Sequence, residues 1–163
     1  MRNTTLTFLI HGEEVNLPEK KRGFGVNRHN GYGGKQEEGE TITAAAIREL
    51  KEESKVYAEA SLLVKVAELE FTFPEKAEWN QCVHVYLLRE WSGEPQETEE
   101  MRPKWFHKNK IPYTRMWPDD PYWLPQILEN RYVKARFTLG IDQNSILDKE
   151  INLFDENPFT QYI

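Results

Sequence analysis

The sequence is poor in cysteine and in long apolar runs. Its 163 residues include one cysteine, Cys82, which excludes a disulfide framework and a cysteine-built zinc site and favours a reducing compartment. No run approaches the roughly 18 apolar residues of a membrane helix, and the N-terminal apolar stretch at Phe8 to Ile10 is too short for a signal peptide. We therefore expect a cytoplasmic protein with no membrane partner.

Acidic residues outnumber basic ones: the chain has 21 Lys and Arg residues and 27 Asp and Glu residues, which gives a formal net charge of −6. A nucleic-acid coat needs clustered Lys and Arg, so no nucleic-acid partner is expected. A small phosphorylated ligand held through metal ions stays open. The length suits a single domain over residues 1–163 with a sizeable core, and we expect a monomer.

The chain alternates between strand-like and helix-like segments. The strongest helix prediction runs from Glu40 to Lys55, with Thr41 or Thr43 as the N-cap. A shorter helix is predicted near Tyr122 to Glu129. Such an order predicts an α/β or α+β domain, in which a mixed sheet carries helices on its faces. The predicted strands are 6–10, 64–73, 82–88, 132–139 and 146–154.

The first predicted helix carries a stripe of glutamates. At about 100° per residue, Glu49, Glu52 and Glu53 fall within an arc of roughly 100°. Two carboxylates about 6 Å apart repel by near 3 kcal/mol at an effective dielectric of 20, whereas an i,i+4 pair from Arg48 to Glu52 contributes only about 0.3–0.5 kcal/mol. By itself the pattern also fits a solvated acidic face. The repulsion favours a cluster of hard oxygen ligands, which Mg²⁺ and Mn²⁺ prefer.

The spacing of these residues resembles the Nudix box. That motif reads Gly, five residues, Glu, seven residues, then Arg-Glu-aliphatic-x-Glu-Glu-x-Gly-aliphatic. Lys55 stands where the family has glycine, at a helix end where a left-handed cap is usual. The matching residues are Gly34, Glu40, Arg48, Glu49, Leu50, Glu52, Glu53 and Val56.

The resemblance implies a Nudix fold, with a central mixed sheet between helices and the box as a loop-helix-loop. It also implies hydrolysis of a nucleoside diphosphate linked to another group, with Mg²⁺, or alternatively Mn²⁺, as the cofactor. Glu100 would supply a further metal ligand or the base. The catalytic residues implied are Arg48, Glu49, Glu52, Glu53 and Glu100, and the implied metal ligands are these four glutamates with the carbonyl of Gly33.

Segments outside the box resemble one branch of this family, the MutT homologues that hydrolyse oxidised purine nucleoside triphosphates. The resemblance implies conversion of triphosphates of the 8-oxo-dGTP or 2-hydroxy-dATP type to monophosphate and pyrophosphate, which cleans the nucleotide pool. The partner would then be a small-molecule nucleotide. The segments are 21–25, 30–35, 83–85, 99–103 and, above all, 116–123.

The same resemblance assigns a base pocket. Asn30, Asp119 and Asp120 would hydrogen-bond the purine edge, and Trp117 and Phe71 would sandwich the base, because aromatic faces stack any base. A buried carboxyl beside another has its pKa raised, so one of the pair can stay a proton donor. The phosphate end would be lined by Lys20, Tyr32, Gly33, Gly34 and Lys35, and the rest of the pocket by Thr5, Leu6, Phe24, Phe73, Gln81 and Trp123.

Taken alone, these residues also have ordinary structural interpretations. Trp117 could be core, Asp119 or Asp120 could cap a helix that begins at Pro121, and Asn30 could be a turn residue.

Three further positions, outside the box, depart from the family pattern and leave the preferred purine open. His29 takes a tryptophan position, Gln81 a methionine position and Leu139 a phenylalanine position. Gln81 makes the pocket more polar, and Leu139 thins its wall. Two other functions stay open: hydrolysis of another nucleotide, such as a methylated purine triphosphate, an ordinary dNTP or a nucleotide sugar, and nucleotide binding without catalysis.

Overall fold

The computed structural model describes residues 1–159 of the chain. Two helices, nine strands and short 3₁₀ turns make up this part. The strands are β1 (Arg2–His11), β2 (Glu14–Asn16), β3 (Glu19–Lys20), β4 (Val64–Thr72), β5 (Gln81–Leu88), β6 (Met101–Arg102), β7 (Trp105–His107), β8 (Tyr132–Leu139) and β9 (Ile146–Phe154). The helices are α1 (Ile42–Ser54) and α2 (Asp120–Leu128), and the 3₁₀ turns are Ala60–Leu62, Ala77–Trp79 and Tyr113–Arg115.

Seven strands form one mixed sheet in the order β7-β2-β1-β5-β4-β8-β9. The pairs β1–β5 and β4–β8 are parallel, and the remaining neighbours are antiparallel. Strands β3 and β6 pair separately. The predicted mixed sheet is therefore confirmed.

The two helices pack on opposite faces of this sheet. Leu9 and Leu88 lie in one apolar cluster with Leu50 of α1, whereas the adjacent Phe8 and Leu87 lie in the other cluster with Trp123 of α2. Successive strand residues point to opposite faces, so the alternation assigns one helix to each face.

The predicted ends of α1 are close to the observed ones. The Thr41 side chain accepts a hydrogen bond from the Ala44 N–H at 3.1 Å, which selects Thr41 as the N-cap. At the other end Lys55 adopts φ 66°, the left-handed conformation expected there, and its N–H bonds to the Lys51 carbonyl.

Other elements differ from the sequence prediction. Strand β1 begins at Arg2 rather than Leu6, because its threonine-rich start pairs in parallel with β5 from the Arg2–Gln81 pair onward. The short strands β2, β3, β6 and β7 were not predicted, since two or three residues carry no readable alternation. Among residues 1–159, no helix is long and apolar enough to cross a bilayer.

Candidate active site

A cleft of about 270 Å³ opens between β1, β4, α2 and the loop that joins β3 to α1. It brings together residues that are far apart in the chain, and Leu139 also lines it. The predicted residues that line it are Thr5, Leu6, Lys20, Phe24, Asn30, Gly33, Gly34, Lys35, Phe71, Phe73, Gln81, Trp117, Asp119, Asp120 and Trp123.

Tyr32 departs from the prediction that it lines the phosphate end. Its side chain is fully buried and packs with Leu50 and Val56 in the cluster beneath α1. Its hydroxyl donates to Asn16 Oδ1 at 2.8 Å, and burial raises its pKa. A buried tyrosine is stable where its ring packs against apolar side chains and its hydroxyl has a hydrogen-bond partner. Tyr32 therefore packs beneath the glycine loop and does not face the cleft.

The predicted glutamates are not among the residues that line the cleft, but Glu53 and Glu49 adjoin Gly33 and Gly34, which do line it. We call this part of the cleft the glutamate end. The Glu53 side chain is buried and accepts a hydrogen bond from the Gly33 N–H at 2.8 Å. Burial raises the pKa of Glu53 to about 8, and the charges of Glu49 and Glu100 add to the rise, whereas the Gly33 hydrogen bond and Lys20 oppose it.

The close fit between the loop and β1 at Gly33 depends on glycine. A Cβ at Gly33 would lie 1.7 Å from the Thr5 carbonyl oxygen, so no other residue can occupy this position without moving β1.

Arg48 braces the loop of the box against α1. Its guanidinium donates to Glu40 at 2.7 and 3.1 Å, to the Lys35 carbonyl at 2.9 Å and to Glu49 at 2.9 Å. The predicted i,i+4 pair with Glu52 is also present, at 3.5 Å, but Glu40 is the closer partner. The box arginine thus fixes the loop that carries Gly33.

Glu49 completes the glutamate end. Burial is the main cause that raises its pKa, the nearby charges of Glu52 and Glu100 add to it, and Arg48 opposes it. Its carboxylate lies against Gly34, where an added Cβ would approach it to 2.5 Å. A buried and a partly buried carboxylate, both hydrogen-bonded and each destabilised by neighbouring negative charge, are a donor set that fits a hard divalent cation.

Glu52 and Glu100 lie farther out. Their side chains are 59% and 46% exposed and face arginines, Glu52 facing Arg48 and Glu100 facing Arg22 at 3.4 Å. Over residues 1–159, no three or more His, Cys, Asp or Glu side chains are spaced to share one metal ion. The metal-ligating roles of all four glutamates and of the Gly33 carbonyl therefore stay predictions.

The opposite end of the cleft, which we call the aspartate end, holds Asp119 and Asp120, each 1% exposed. Asp119 accepts from Trp123 Nε1 at 2.8 Å, and Asp120 accepts from the Trp117 N–H at 3.2 Å. Burial raises the pKa of both carboxyls, and the negative charge of Asp119 raises that of Asp120 further. Like charges this close cannot both be ionised cheaply, so the pair tends to keep a proton.

The aspartate pair does not act as a helix cap through its side chains. Asp119 stands at the N-cap position of α2, but its side chain makes no capping hydrogen bond within the described chain. Its Oδ1 atom is buried without a donor among residues 1–159, which a proton on the neighbouring Asp120 carboxyl would supply.

Aromatic rings form the walls between the two ends. Phe71 stacks on Phe137 with centroids 5.6 Å apart. Phe24 lies 5.0 Å from Trp117 and 5.1 Å from Trp79, a ring that the sequence analysis did not assign. Whether Phe71 and Trp117 sandwich a base stays a prediction.

Polar residues of the pocket are partly engaged by the protein itself. Gln81 Oε1 accepts from the Thr4 hydroxyl at 3.0 Å, and Asn30 Oδ1 accepts from the Gly31 N–H at 2.9 Å, as a turn residue would. His29, at the tryptophan position of the family, is 4% exposed, and its Nδ1 lies 2.7 Å from the Leu17 carbonyl oxygen. His29 therefore has a structural role.

Sequence reasoning missed Arg28, which also lines the cleft. Its guanidinium carbon lies 4.1 Å from the centre of the Trp117 ring. The two residues are 89 positions apart, so no local pattern connects them. The only available signal was the position of Arg28 between two segments that resemble the family.

The family model described as NUDIX domain matches residues 3–127. The chain is 41% identical over 151 residues to the mouse (Mus musculus) oxidized purine nucleoside triphosphate hydrolase, covering 93% of this chain and 94% of that protein.

Two solved structures share the fold. A mutator MutT protein from Bacillus halodurans matches with a TM-score of 0.80 and 20% identity, covering 93% of this chain and 98% of that one. A bifunctional NMN adenylyltransferase/ADP ribose pyrophosphatase from Francisella tularensis, complexed with AMP and a manganese ion, matches with a TM-score of 0.61 and 24% identity, covering 78% of this chain and 41% of that one. On the family match and the mouse relative together, the chain belongs to the NUDIX domain family.

Proposed function

We propose that this protein is a divalent-metal-dependent hydrolase that converts oxidised purine nucleoside triphosphates to monophosphates and pyrophosphate. The observation that carries the proposal is one cleft with two differently built ends. At one end the glycine loop lies against Glu53 and Glu49, and the other end presents a buried aspartate pair among aromatic rings. The name of the mouse relative, 41% identical over nearly the whole chain, supports the same substrate class.

The phosphates would lie at the glutamate end. Glu49 and Glu53, joined by Glu52, Glu100 and the Gly33 carbonyl, would hold Mg²⁺ or Mn²⁺. The raised pKa values of Glu49 and Glu53 support a cation there, because a cation would relieve the cost of ionising them. The Francisella neighbour, which shares the fold, was solved with a manganese ion. When bound, the metal neutralises phosphate charge and activates water. Arg48 would keep Glu49 and the loop in position, while Lys20 and Lys35 at the cleft wall attract the triphosphate.

The purine would lie at the aspartate end. Asp119 and Asp120, holding one proton between them, would offer one donor and one acceptor to the purine edge, with Asn30 beside them. Stacking on Trp117 and Phe71 is worth about 1–3 kcal/mol per aromatic ring for any base. Discrimination would therefore come from the aspartate pair, since a polar site left unpaired by the wrong base rejects it strongly.

A substrate panel tests this proposal. Purified protein with Mg²⁺, and in parallel with Mn²⁺, is assayed for pyrophosphate release from 8-oxo-dGTP, 2-hydroxy-dATP, dGTP, dATP, a methylated purine triphosphate and a nucleotide sugar. We expect faster release from the oxidised purines than from the unmodified ones. Preference for another compound would replace the substrate class, and nucleotide binding without release at any metal concentration would indicate a binding module.

We propose further that the chain acts as a monomeric single domain in the cytoplasm. The seven-stranded sheet draws strands from residues 2 to 154, which supports one folding unit. The single cysteine fits a reducing compartment. Light scattering of the purified protein tests the monomer, for which we expect a mass near 19.3 kDa.

A further inference from the structure

Arg28 joins three parts of the molecule, and the function proposed above does not use it. It belongs to the loop between β3 and α1. Its guanidinium carbon lies 4.1 Å from the centre of the Trp117 ring. Its Nη2 donates to the Gln143 carbonyl and to Asn144 Oδ1, both at 2.8 Å. Arg28 therefore ties Trp117 to the turn between β8 and β9.

The turn between β8 and β9 holds these two acceptors in fixed places. Asp142 Oδ1 accepts from the N–H groups of Asn144 and Ser145 at 2.9 and 3.0 Å, and its Oδ2 accepts from the Ser145 hydroxyl at 2.6 Å. Gln143 adopts φ 62°, a conformation that costs a non-glycine residue about 1 kcal/mol or more. Such a turn offers the guanidinium a rigid partner.

The loop that carries Arg28 also fits closely against the indole. Gly25 has φ +79°, and a Cβ there would lie 3.1 Å from Trp117 Cζ2. The Arg28 N–H bonds to the Gly25 carbonyl at 3.1 Å, and the Phe24 ring lies 5.0 Å from the indole. Phe24, Gly25 and Arg28 together therefore fix the plane of Trp117.

Arg28 is also the cation that acts on the aspartate pair. Burial raises the pKa of Asp119 and of Asp120, and the charge of Arg28 opposes the rise at both. The guanidinium is itself partly buried, which lowers its pKa. Its Nη1 atom is buried without a hydrogen-bond partner among residues 1–159. A charge in such surroundings acts more strongly than one in water.

Two further titratable groups adjoin this arrangement. The pKa of Tyr113 is raised to about 12, by burial and by the charge of Asp120, so its phenol is neutral at physiological pH. Asp142 on the turn is hydrogen-bonded and keeps its charge, because its pKa is lowered. With Tyr113 neutral and Asp142 ionised, the charge of Arg28 and the hydrogen bonds from Trp123 Nε1 and the Trp117 N–H oppose the rise in pKa at the pair.

We propose that Arg28 is a positioning residue for purine selection: it fixes the plane of Trp117 against the β8–β9 turn and presents its positive charge to Asp119 and Asp120 in the same cleft. This inference rests on the proposed function, since it assigns Arg28 a role in choosing the base in the same cleft. It does not place Arg28 in contact with the nucleotide.

Two variants separate the two parts of this role. Arg28→Met retains an unbranched aliphatic stem but removes the charge and the hydrogen bonds. Arg28→Lys keeps the charge but cannot stack flat while reaching two acceptors. Arg136→Met is the matched control, because Arg136 is an exposed arginine of β8 whose partners are Glu70 and Glu150. Each is assayed for kcat and KM with 8-oxo-dGTP and with dGTP from pH 5 to pH 9.

For Arg28→Met we expect KM for 8-oxo-dGTP to rise about tenfold relative to Arg136→Met, with kcat changed less than about threefold, because the stacking contact is lost while the glutamate end is intact. Without the cation the pKa of the pair rises, so the acid limb of kcat/KM moves to higher pH. For Arg28→Lys we expect a raised KM with the acid limb unmoved. Thermal melting of each variant checks that it folds.

Equal KM, equal selectivity and an equal pH profile in Arg28→Met and Arg136→Met would overturn the proposal. If Arg28→Met does not fold, the KM of Arg28→Lys decides, and a wild-type value would overturn it. Failure of the proposed function looks different, since the wild type itself would then release no pyrophosphate from oxidised purines. In that case fluorescence titration with 8-oxo-dGMP gives the decision: weaker binding in Arg28→Met than in Arg136→Met supports the role, and equal binding refutes it.

Discussion

Each end of the cleft holds an acidic pair, and the two pairs have different neighbours. Glu53 accepts from the Gly33 N–H, Glu49 accepts from Arg48, and the more exposed side chains of Glu52 and Glu100 lie nearby. Asp119 and Asp120 lie among tryptophans, each 1% exposed, and receive hydrogen bonds from Trp123 Nε1 and the Trp117 N–H.

Burial raises the pKa at both ends, so both pairs cost free energy when fully ionised. That cost can be relieved in two ways. A cation from solvent can neutralise the pair, or the pair can keep a proton. The glutamate end has hard oxygen donors and includes the more exposed Glu52 and Glu100, so it suits the cation. At the aspartate end both carboxyls are 1% exposed, so that end suits the proton, and a shared proton makes it a directional hydrogen-bonding edge.

The largest effect on turnover is expected from a substitution at Glu53, in the glutamate end. Glu53→Gln keeps the size of the side chain and the acceptor for the Gly33 N–H, but removes the charge that a metal needs. We expect kcat with 8-oxo-dGTP to fall about 10³-fold or more, since loss of one preorganised electrostatic contact costs about 10²–10³ and metal binding weakens as well. Steady-state pyrophosphate release measures this.

The matched control for that variant is Glu70→Gln, on the exposed side of β4, where Glu70 faces Arg136. We expect wild-type turnover from it. Turnover of Glu53→Gln within tenfold of the control would remove the metal role from the glutamate end.

At the other end, Asp119→Ala should damage selection rather than chemistry. We expect the preference for 8-oxo-dGTP over dGTP, as a ratio of kcat/KM, to fall about 10- to 100-fold, with kcat little changed. Trp123 Nε1 loses its acceptor, so the free energy of unfolding should also fall by about 1–3 kcal/mol. Asp148→Ala, on the exposed part of β9, is the control, and an unchanged ratio would refute the role of Asp119.

Asp120→Asn tests the proton directly through stability. A carboxyl whose folded pKa is raised contributes stability below its unfolded pKa of about 3.9 and loses it as pH rises through the folded value. The Asp120→Asn variant loses no stability in this way as pH rises, because its amide does not titrate. The amide oxygen can still accept the hydrogen bond from the Trp117 N–H. We therefore expect its Tm to match the wild type near pH 4 and to exceed it by about 5 °C at pH 8.

For comparison, the Asp142→Asn variant should show the opposite dependence of Tm on pH. The pKa of Asp142 is lowered by hydrogen bonds from Ser145 and Asn144, so this variant should lose Tm at pH 8 relative to pH 3. A Tm difference between Asp120→Asn and the wild type that does not change with pH would contradict a raised pKa at Asp120.

The smallest effect is expected at Lys55, which lies outside both ends. Lys55 adopts φ 66°, which glycine adopts without strain, so Lys55→Gly should raise the free energy of unfolding by about 0.5–1 kcal/mol. Lys51→Gly, inside α1, should lower it by about 1 kcal/mol. Chemical denaturation measures both. Activity should not change in Lys55→Gly, and a loss there would make Lys55 part of the site.

The fold and much of the site could be predicted because their signals are local or carried by a motif. The glutamates of α1 follow from helix periodicity, and the resemblance over residues 116–123 led to Asp119. The misses depend on three-dimensional contacts. Tyr32 is turned into the core by its bond to Asn16, and Arg28 meets Trp117 only after folding.

The division between the two ends is tested most directly by one measurement: the kcat/KM ratio of 8-oxo-dGTP to dGTP, with the absolute kcat, in the wild type, Glu53→Gln and Asp119→Ala. We predict that Glu53→Gln loses turnover of both nucleotides while any residual activity keeps the wild-type ratio, and that Asp119→Ala keeps turnover while the ratio falls toward one. If both variants lose turnover and ratio together, the two ends do not divide chemistry from selection, and the account is wrong.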